Sequence, residues 1–111
     1  MPTMDFRGKQ IEIDGEGYIA NPDEWSKELA EHIAKIEGIE MTFDHWDVVN
    51  FLRDYYRKYQ IAPMIKMLVK EIGKVKGSEK GNTRYLYQLY PGGPAKQACK
   101  IAGLPTPTGC V

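Results

Sequence analysis

The chain has 111 residues, 42% hydrophobic and 27% charged, a balance that fits one folded domain and excludes a disordered tract. Lys plus Arg equals Asp plus Glu, so bulk charge argues against a dedicated nucleic-acid binder, and no apolar run approaches the ~20 residues of a membrane span. The opening Met-Pro-Thr-Met-Asp-Phe-Arg lacks the apolar core of a secretory leader, so the cytoplasm is the expected compartment, and two cysteines do not make a disulfide-stapled scaffold.

The first twenty residues read as β-structure. Gln10-Ile11-Glu12-Ile13-Asp14 alternates polar and apolar, and Asp14-Gly15 is a hairpin-turn dipeptide. Gly15-Glu16-Gly17 lacks the third glycine of a nucleotide loop and reads as a turn. Asn21-Pro22-Asp23-Glu24 offers an N-cap, a proline at the first helical position and first-turn acids. Trp25, Leu29, Ile33 and Ile36 follow at helical spacing, and Gly38 ends that helix. Thr42 caps a second helix over 43–60, whose apolar face is Trp46, Val49, Leu52, Tyr56 and Tyr59; Asn50, Arg53, Asp54 and Arg57 fill its polar side.

Pro63 starts a third helix over 63–74 with a stripe of Met64, Met67, Leu68 and Ile72, while Lys66, Lys70 and Lys74 stand on one outer face. Val75 to Asn82 reads as a mobile loop, Thr83 to Tyr90 as a short helix, and Ala95 to about Ala102 as a last helix opened by Pro94. Gly103 onward, with two glycines and two prolines in nine residues, is an extended arm. The expected class is α+β, mostly α: a small orthogonal helical bundle over 1–102 with an N-terminal β-hairpin (1–20) and a flexible C-terminal arm over 103–111.

The neutral total hides a split. Residues 1–56 hold 5 Lys/Arg and 13 Asp/Glu, net −8, while residues 57–111 hold 10 and 2, net +8. Both cysteines lie in the basic half, where positive potential favours the reactive thiolate. The halves can attract one another or simply solvate separate faces.

His32 and His45 stand alone, without Cys-x-x-Cys or zinc spacing, so neither a metal nor another cofactor is expected. No carboxylate pair is arranged for acid–base work, and Ser26 and Ser78 have no nucleophile context. Cys99 and Cys110 remain. Cys99 near the end of the last helix can be a small buried hydrophobe. Cys110, the penultimate residue, can be an accidental terminal thiol, but an exposed free thiol there would be a liability with no packing return. Eight residues from Gly103 to Cys110 reach at most about 26–29 Å, so the arm can extend or fold back. A disulfide needs Cα atoms roughly 4.4–6.8 Å apart, and closing a loop of about a dozen residues is worth only ~3 kcal/mol, small enough for a reductant to reverse. The arm is built like a swinging thiol.

The ending Leu89-Tyr90-Pro91-Gly92-Gly93-Pro94-Ala95-Lys96-Gln97-Ala98-Cys99-Lys100-Ile101-Ala102-Gly103-Leu104-Pro105-Thr106-Pro107-Thr108-Gly109-Cys110-Val111 closely resembles the C-terminal signature of the DsrC/TusE sulfur-carrier family. Trp46-Asp47-Val48-Val49-Asn50-Phe51-Leu52-Arg53 and Pro63-Met64-Ile65-Lys66-Met67-Leu68-Val69-Lys70 look like two further blocks of it. The resemblance implies that Cys110 is the sulfur-carrying thiol. Members with only that cysteine serve tRNA 2-thiouridine synthesis; a second one, matching Cys99, marks the dissimilatory branch, which is therefore the branch expected of this chain, with the tRNA relay as the alternative.

There the family includes the gamma subunit of dissimilatory sulfite reductase. The resemblance then implies that the arm enters the siroheme channel of the alpha and beta subunits, that Cys110 takes a sulfur atom from the partly reduced substrate, and that Cys99 closes on it as a trisulfide. A membrane-bound thiol/disulfide oxidoreductase complex then restores the thiols, and other sulfurtransferases are further partners. The chain is expected to be a monomeric co-substrate rather than an enzyme. Lys66 stands where the family usually has Arg, Tyr90 where it has Phe, and Thr106 where it often has Lys. Arg57, Lys66, Lys96 and Lys100 are the candidate sources of positive potential around Cys110.

Two other readings compete. The second and third helices can form a helix-turn-helix DNA-binding unit, with Lys66, Lys70 and Lys74 facing phosphates. The acidic half and the lack of Asn, Gln or Arg on that stripe argue against it. A self-sufficient thiol oxidoreductase is disfavoured by the absence of Cys-x-x-Cys and of a placed base.

Overall fold

Arg7 and Gly8 both take positive φ, 53° and 84°, and close a two-residue hairpin between β1 (Thr3–Phe6) and β2 (Lys9–Glu12). The strands pair antiparallel, with Phe6 opposite Lys9 and Thr3 opposite Glu12. The turn expected at Asp14-Gly15 is present but joins no second pair of strands. The Asp14 carboxylate accepts from the backbone N–H groups of Glu16 (2.8 Å) and Tyr18 (3.0 Å), and only a single bridge, Ile13 to Ile19, follows. A side chain that satisfies nearby amides favours such a wider loop over a tight hairpin. The computed structural model describes residues 2–107; Cys110 and the rest of the arm past Pro107 lie outside the described residues.

The helix expected from Asn21 is divided. Asn21 accepts from Asp23 N–H and caps only a 3-10 turn, Pro22–Glu24. Trp25 is extended, and Ser26 then caps α1 (Lys27–Ile36) by accepting from Leu29 N–H at 3.0 Å. Two capping residues in succession start two elements, which releases Trp25 from helical register. Gly38, at φ 75°, ends α1, with Ile39 N–H returning to the carbonyl of Ala34.

Thr42 caps α2 (Phe43–Tyr59) in a capping box completed by His45. Val48, Val49 and Leu52 are buried; Tyr59, expected on the same apolar stripe, is 52% exposed. In α3 (Ile65–Lys76) the buried pair is Leu68 and Ile72, while Met64 and Met67 of the expected stripe face solvent. Lys66, Lys70 and Lys74 stand on the exposed side of α3, Lys74 pairing with Glu71 at 3.6 Å.

The expected mobile loop is tied down. α3 continues through Val75 and Lys76; Lys76 pairs with Asp47 at 3.1 Å and Lys80 with Asp44 at 2.9 Å. Gly81 lies against Gly73, and Asn82 caps α4 (Thr83–Leu89). His45 joins α2 to the end of α4: its Nε2–H donates to the Leu89 carbonyl at 2.8 Å, while its Nδ1 accepts from Thr42. The hydroxyl of fully buried Tyr90 donates to the His45 carbonyl, 2.8 Å away. His45 is therefore a satisfied structural residue. His32, half-buried, packs its ring against Phe6 with centroids 5.2 Å apart.

α5 (Pro94–Ile101) forms as expected and touches each of the other four helices. Ala95, Ala98 and Ala102 are fully buried, so small side chains let this helix approach its neighbours. The fold is thus a mostly α bundle gathered on its last helix, with an N-terminal antiparallel hairpin.

Candidate functional site

α5 ends where the arm begins. Gly103, at φ 72°, permits the left-handed turn that stops the helix. Its N–H returns to the carbonyl of Lys100 (3.3 Å), and Leu104 N–H returns to that of Cys99 (3.0 Å). Leu104 is only 4% exposed, and Pro107 is buried. The describable part of the expected 103–111 arm therefore starts packed on the body.

Three side chains from distant parts of the chain hold α5, two of them at this end. Tyr18 Oη donates to the Lys96 carbonyl (2.9 Å), Trp25 Nε1 to that of Ile101 (2.8 Å), and Arg53 Nη1 to that of Ala102 (2.7 Å). The last carbonyls of a helix have no partner within it, which is why Trp25 and Arg53 find acceptors at Ile101 and Ala102; the Tyr18 bond to Lys96 adds a tie at the first turn of α5. The Arg53 guanidinium also stacks on the Trp25 ring, 3.7 Å from its centroid. Arg53 was expected on the polar side of α2; it is half-buried at the root of the arm instead. The spacing along α2 gave its helix face correctly but could not show what crosses over that face.

Cys99 is fully buried within α5. Burial pushes its thiol up to about 12, so the basic half of the sequence does not make this cysteine a ready thiolate. Tyr18, whose own hydroxyl is held well above its ordinary range chiefly by burial, is electrostatically coupled to it. Cys110, the other expected reactive residue, lies outside the described residues.

The four expected cations are spread over three helices. Arg57 Nη1 pairs with Asp54 at 2.8 Å on exposed α2. It also lines a cleft of about 230 Å³ with Arg53, Tyr56, Gln60 and Leu104, beside the root of the arm. Lys66 is exposed on α3, and Lys96 is exposed on α5. Lys100 is half-buried; its Nζ lies 3.5 Å from Glu37 Oε2 and 5.3 Å from the Tyr18 ring centroid, so an acid already answers its charge. Sequence reading missed Tyr18, Trp25 and Arg53 as site residues. The available signal was the need of the last helix for donors at its C-terminus, which names no residue until the chain is folded.

Among the described residues no three His, Cys, Asp or Glu side chains are grouped to hold a metal ion, and no helix is long and apolar enough to cross a membrane.

The family described as "DsrC like protein" matches residues 5–111. Sulfurtransferase TusE of Escherichia coli K12 is 54% identical over 106 residues, covering 96% of this chain and 97% of the relative. The TusE of Shigella dysenteriae serotype 1 matches over the same extent at the same identity. Among solved structures, DsrC of Allochromatium vinosum superposes with a TM-score of 0.87 at 54% identity, covering 99% of this chain and 98% of that one. The oxidised gamma subunit of the dissimilatory sulfite reductase from Archaeoglobus fulgidus gives 0.85 at 44% identity, covering 99% and 100%. By its sequence from end to end and by its fold, this chain belongs to the DsrC-like family of sulfur carriers.

Proposed function

We propose that the chain carries sulfur as a persulfide on Cys110 and passes it along a relay of the TusE kind, the branch that the family resemblance ties to tRNA 2-thiouridine synthesis. The observation that carries this choice is the state of Cys99. A fully buried thiol, raised to about 12, is no partner for a second sulfur atom in this conformation, which leaves a one-cysteine carrier. The relatives named sulfurtransferase TusE, at 54% identity, favour the same branch.

The chemistry is redox-neutral. The Cys110 thiolate attacks the terminal sulfur of a donor persulfide; the new S–S bond forms as the old one breaks, and the donor leaves as a thiolate. A second such exchange hands the sulfur on and restores Cys110. The chain is then consumed and regenerated, and turnover belongs to its partners. Of the expected cations, Arg57 shares a cleft with the root of the arm and is the one this reading favours for steering an anionic persulfide donor.

One observation favours a second reading: a cysteine does stand at position 99. In the dissimilatory branch the Cys99 thiolate attacks Cys110 Sγ of the persulfide, the Cys99–Cys110 disulfide forms, and hydrosulfide leaves. The alpha and beta subunits of sulfite reductase would be the source of that sulfur, and a membrane-bound oxidoreductase complex the source of the two electrons that reopen the disulfide.

Intact mass spectrometry after incubation with inorganic polysulfide, followed by desalting, separates these readings. One added sulfur on the wild type and on Cys99→Ala, with none on Cys110→Ala, is the expected result. An adduct retained by Cys110→Ala defeats the carrier reading. A wild type that instead loses two hydrogens and releases hydrosulfide, while Cys99→Ala keeps its persulfide, assigns the two-cysteine branch.

A further inference from the structure

The one-cysteine reading leaves Cys99 idle, yet its surroundings are elaborate. Four donors converge on the carbonyls of α5 around it: Tyr18 Oη on Lys96, Leu104 N–H on Cys99 itself, Trp25 Nε1 on Ile101 and Arg53 Nη1 on Ala102. The three side-chain donors lie 78, 76 and 49 positions away in sequence, so they belong to the folded body and not to the helix. Gly103 fits under Trp25 so closely that a Cβ there would lie 2.4 Å from the indole Cδ1. Leu104 then folds in, and Pro105 and Thr106 turn out to solvent.

This end of the helix is held by a small set of contacts that can be named one by one. Among the described residues beyond Ile101 the hydrophobic core holds Ala102 and Leu104, and the turn is fixed by the hydrogen bonds just named. Segments held by few bonds and little apolar area open below the cost of global unfolding.

We infer that the Ala102–Leu104 turn is a latch over Cys99, that Trp25 and Arg53 are its catches, and that it opens as a unit while the bundle remains folded. The purpose of the latch rests on the sulfur-carrier reading; its existence does not. Closed, it keeps Cys110 a solitary carrier whose persulfide can only be passed on. Open, it admits the Cys99 thiolate to Cys110 Sγ, with the disulfide formed and hydrosulfide released. A partner that docks at the root of the arm and pulls the turn away would thus select between the two outcomes.

The test uses the full chain carrying Cys110→Ser, in which Cys99 is the sole thiol. N-ethylmaleimide modification of Cys99 is timed by intact mass as urea is raised through the range below the unfolding transition. The rate is expected to be slow and to rise with urea far less steeply than global unfolding does, because a local opening exposes little surface. Trp25→Phe keeps an aromatic ring but removes the indole donor, and Arg53→Met keeps the stem but removes the guanidinium. Each should speed modification about fivefold to tenfold, the worth of one hydrogen bond.

Ile72→Val, which trims the core far from this turn, should lower the urea midpoint and leave the rate unchanged. Should Trp25→Phe or Arg53→Met fail to fold, Leu104→Ala loosens the same turn without touching either donor and should accelerate modification likewise. The latch is overturned if Cys99 reacts as fast as a free thiol in the parent. It is also overturned if neither donor variant changes the rate, or if Ile72→Val accelerates it in proportion to lost stability. Sulfur loading of Cys110, measured separately in Cys99→Ala, can fail without affecting these rates, so the carrier reading and the latch fall independently.

Discussion

Cys99 has the chemistry of a reactive residue and the setting of a structural one. An ordinary thiol of this kind titrates near 9.0; burial pushes Cys99 up to about 12. The folded state therefore holds this proton more tightly than the unfolded chain does. Its contribution to stability is complete below pH 9 and is lost as pH rises from about 9 to about 12. Tyr18 and Tyr90, both raised chiefly by burial, add to the loss above their ordinary value of 10.0. Urea unfolding measured at rising alkaline pH should show stability falling through this window. Cys99→Ala should make that fall shallower by up to about 1.4 kcal/mol per pH unit, while any cavity it leaves shifts the level and not the slope. Both cysteines could be singled out from residue type and spacing alone. Whether Cys99 is a thiolate could not, because charge counted along the chain says nothing about depth, and on this helix depth decides.

At the scale of elements, the segment between α3 and α4 shows how strongly one close approach can fix a loop. A Cβ built on Gly81 would stand 2.1 Å from Gly73 Cα and 2.9 Å from the Val69 carbonyl oxygen, both backbone atoms that cannot step aside. A Cβ built on Gly73 would meet Gly81 at an ordinary 3.7 Å. The two glycines touch, yet they are not equivalent. Gly81→Ala should cost about 1–3 kcal/mol or more by forcing α3 and the loop apart. Gly73→Ala, inside a helix with room for a methyl, should be neutral or stabilising by up to about 1 kcal/mol. Thermal melts of the two variants check the asymmetry.

Gly, Ser and Lys in this stretch resemble a flexible linker, and only the tertiary contact distinguishes a glycine that must be absent of a side chain from one that merely bends. The elements themselves were easier. The cap at Thr42 and Pro94 at the start of α5 act locally and could be read as such. In the first helix two valid caps, Asn21 and Ser26, follow one another, and only packing tells which one starts the longer element. The Trp25 and Arg53 catches are contacts across 76 and 49 positions, beyond any periodicity.

Over the whole molecule, the −8 and +8 halves meet. Lys76–Asp47, Lys80–Asp44 and Lys100–Glu37 each join a base of the second half to an acid of the first. The lowered Asp44 carboxyl and raised Lys80 ammonium, each mainly through their mutual hydrogen bond, mark the same attraction at the surface. Exposed pairs of this kind are weak, and the contact that matters most for the site is the least exposed one. Glu37 is the C-cap of α1, and its partner Lys100 is the neighbour of Cys99 on α5; their side chains are 22% and 19% exposed. At 3.5 Å the pair is a loose one, so burial strengthens it while geometry limits it.

A double-mutant cycle of Glu37→Gln and Lys100→Gln should give a coupling of about 0.5–1 kcal/mol in low salt. At 1 M NaCl, where the screening length is about 3 Å, less than half of it should survive. A coupling near zero in low salt would mean that this pair adds nothing to the contact of α1 with α5, and that the charge split acts on the fold only through the more exposed pairs of Lys76 with Asp47 and Lys80 with Asp44.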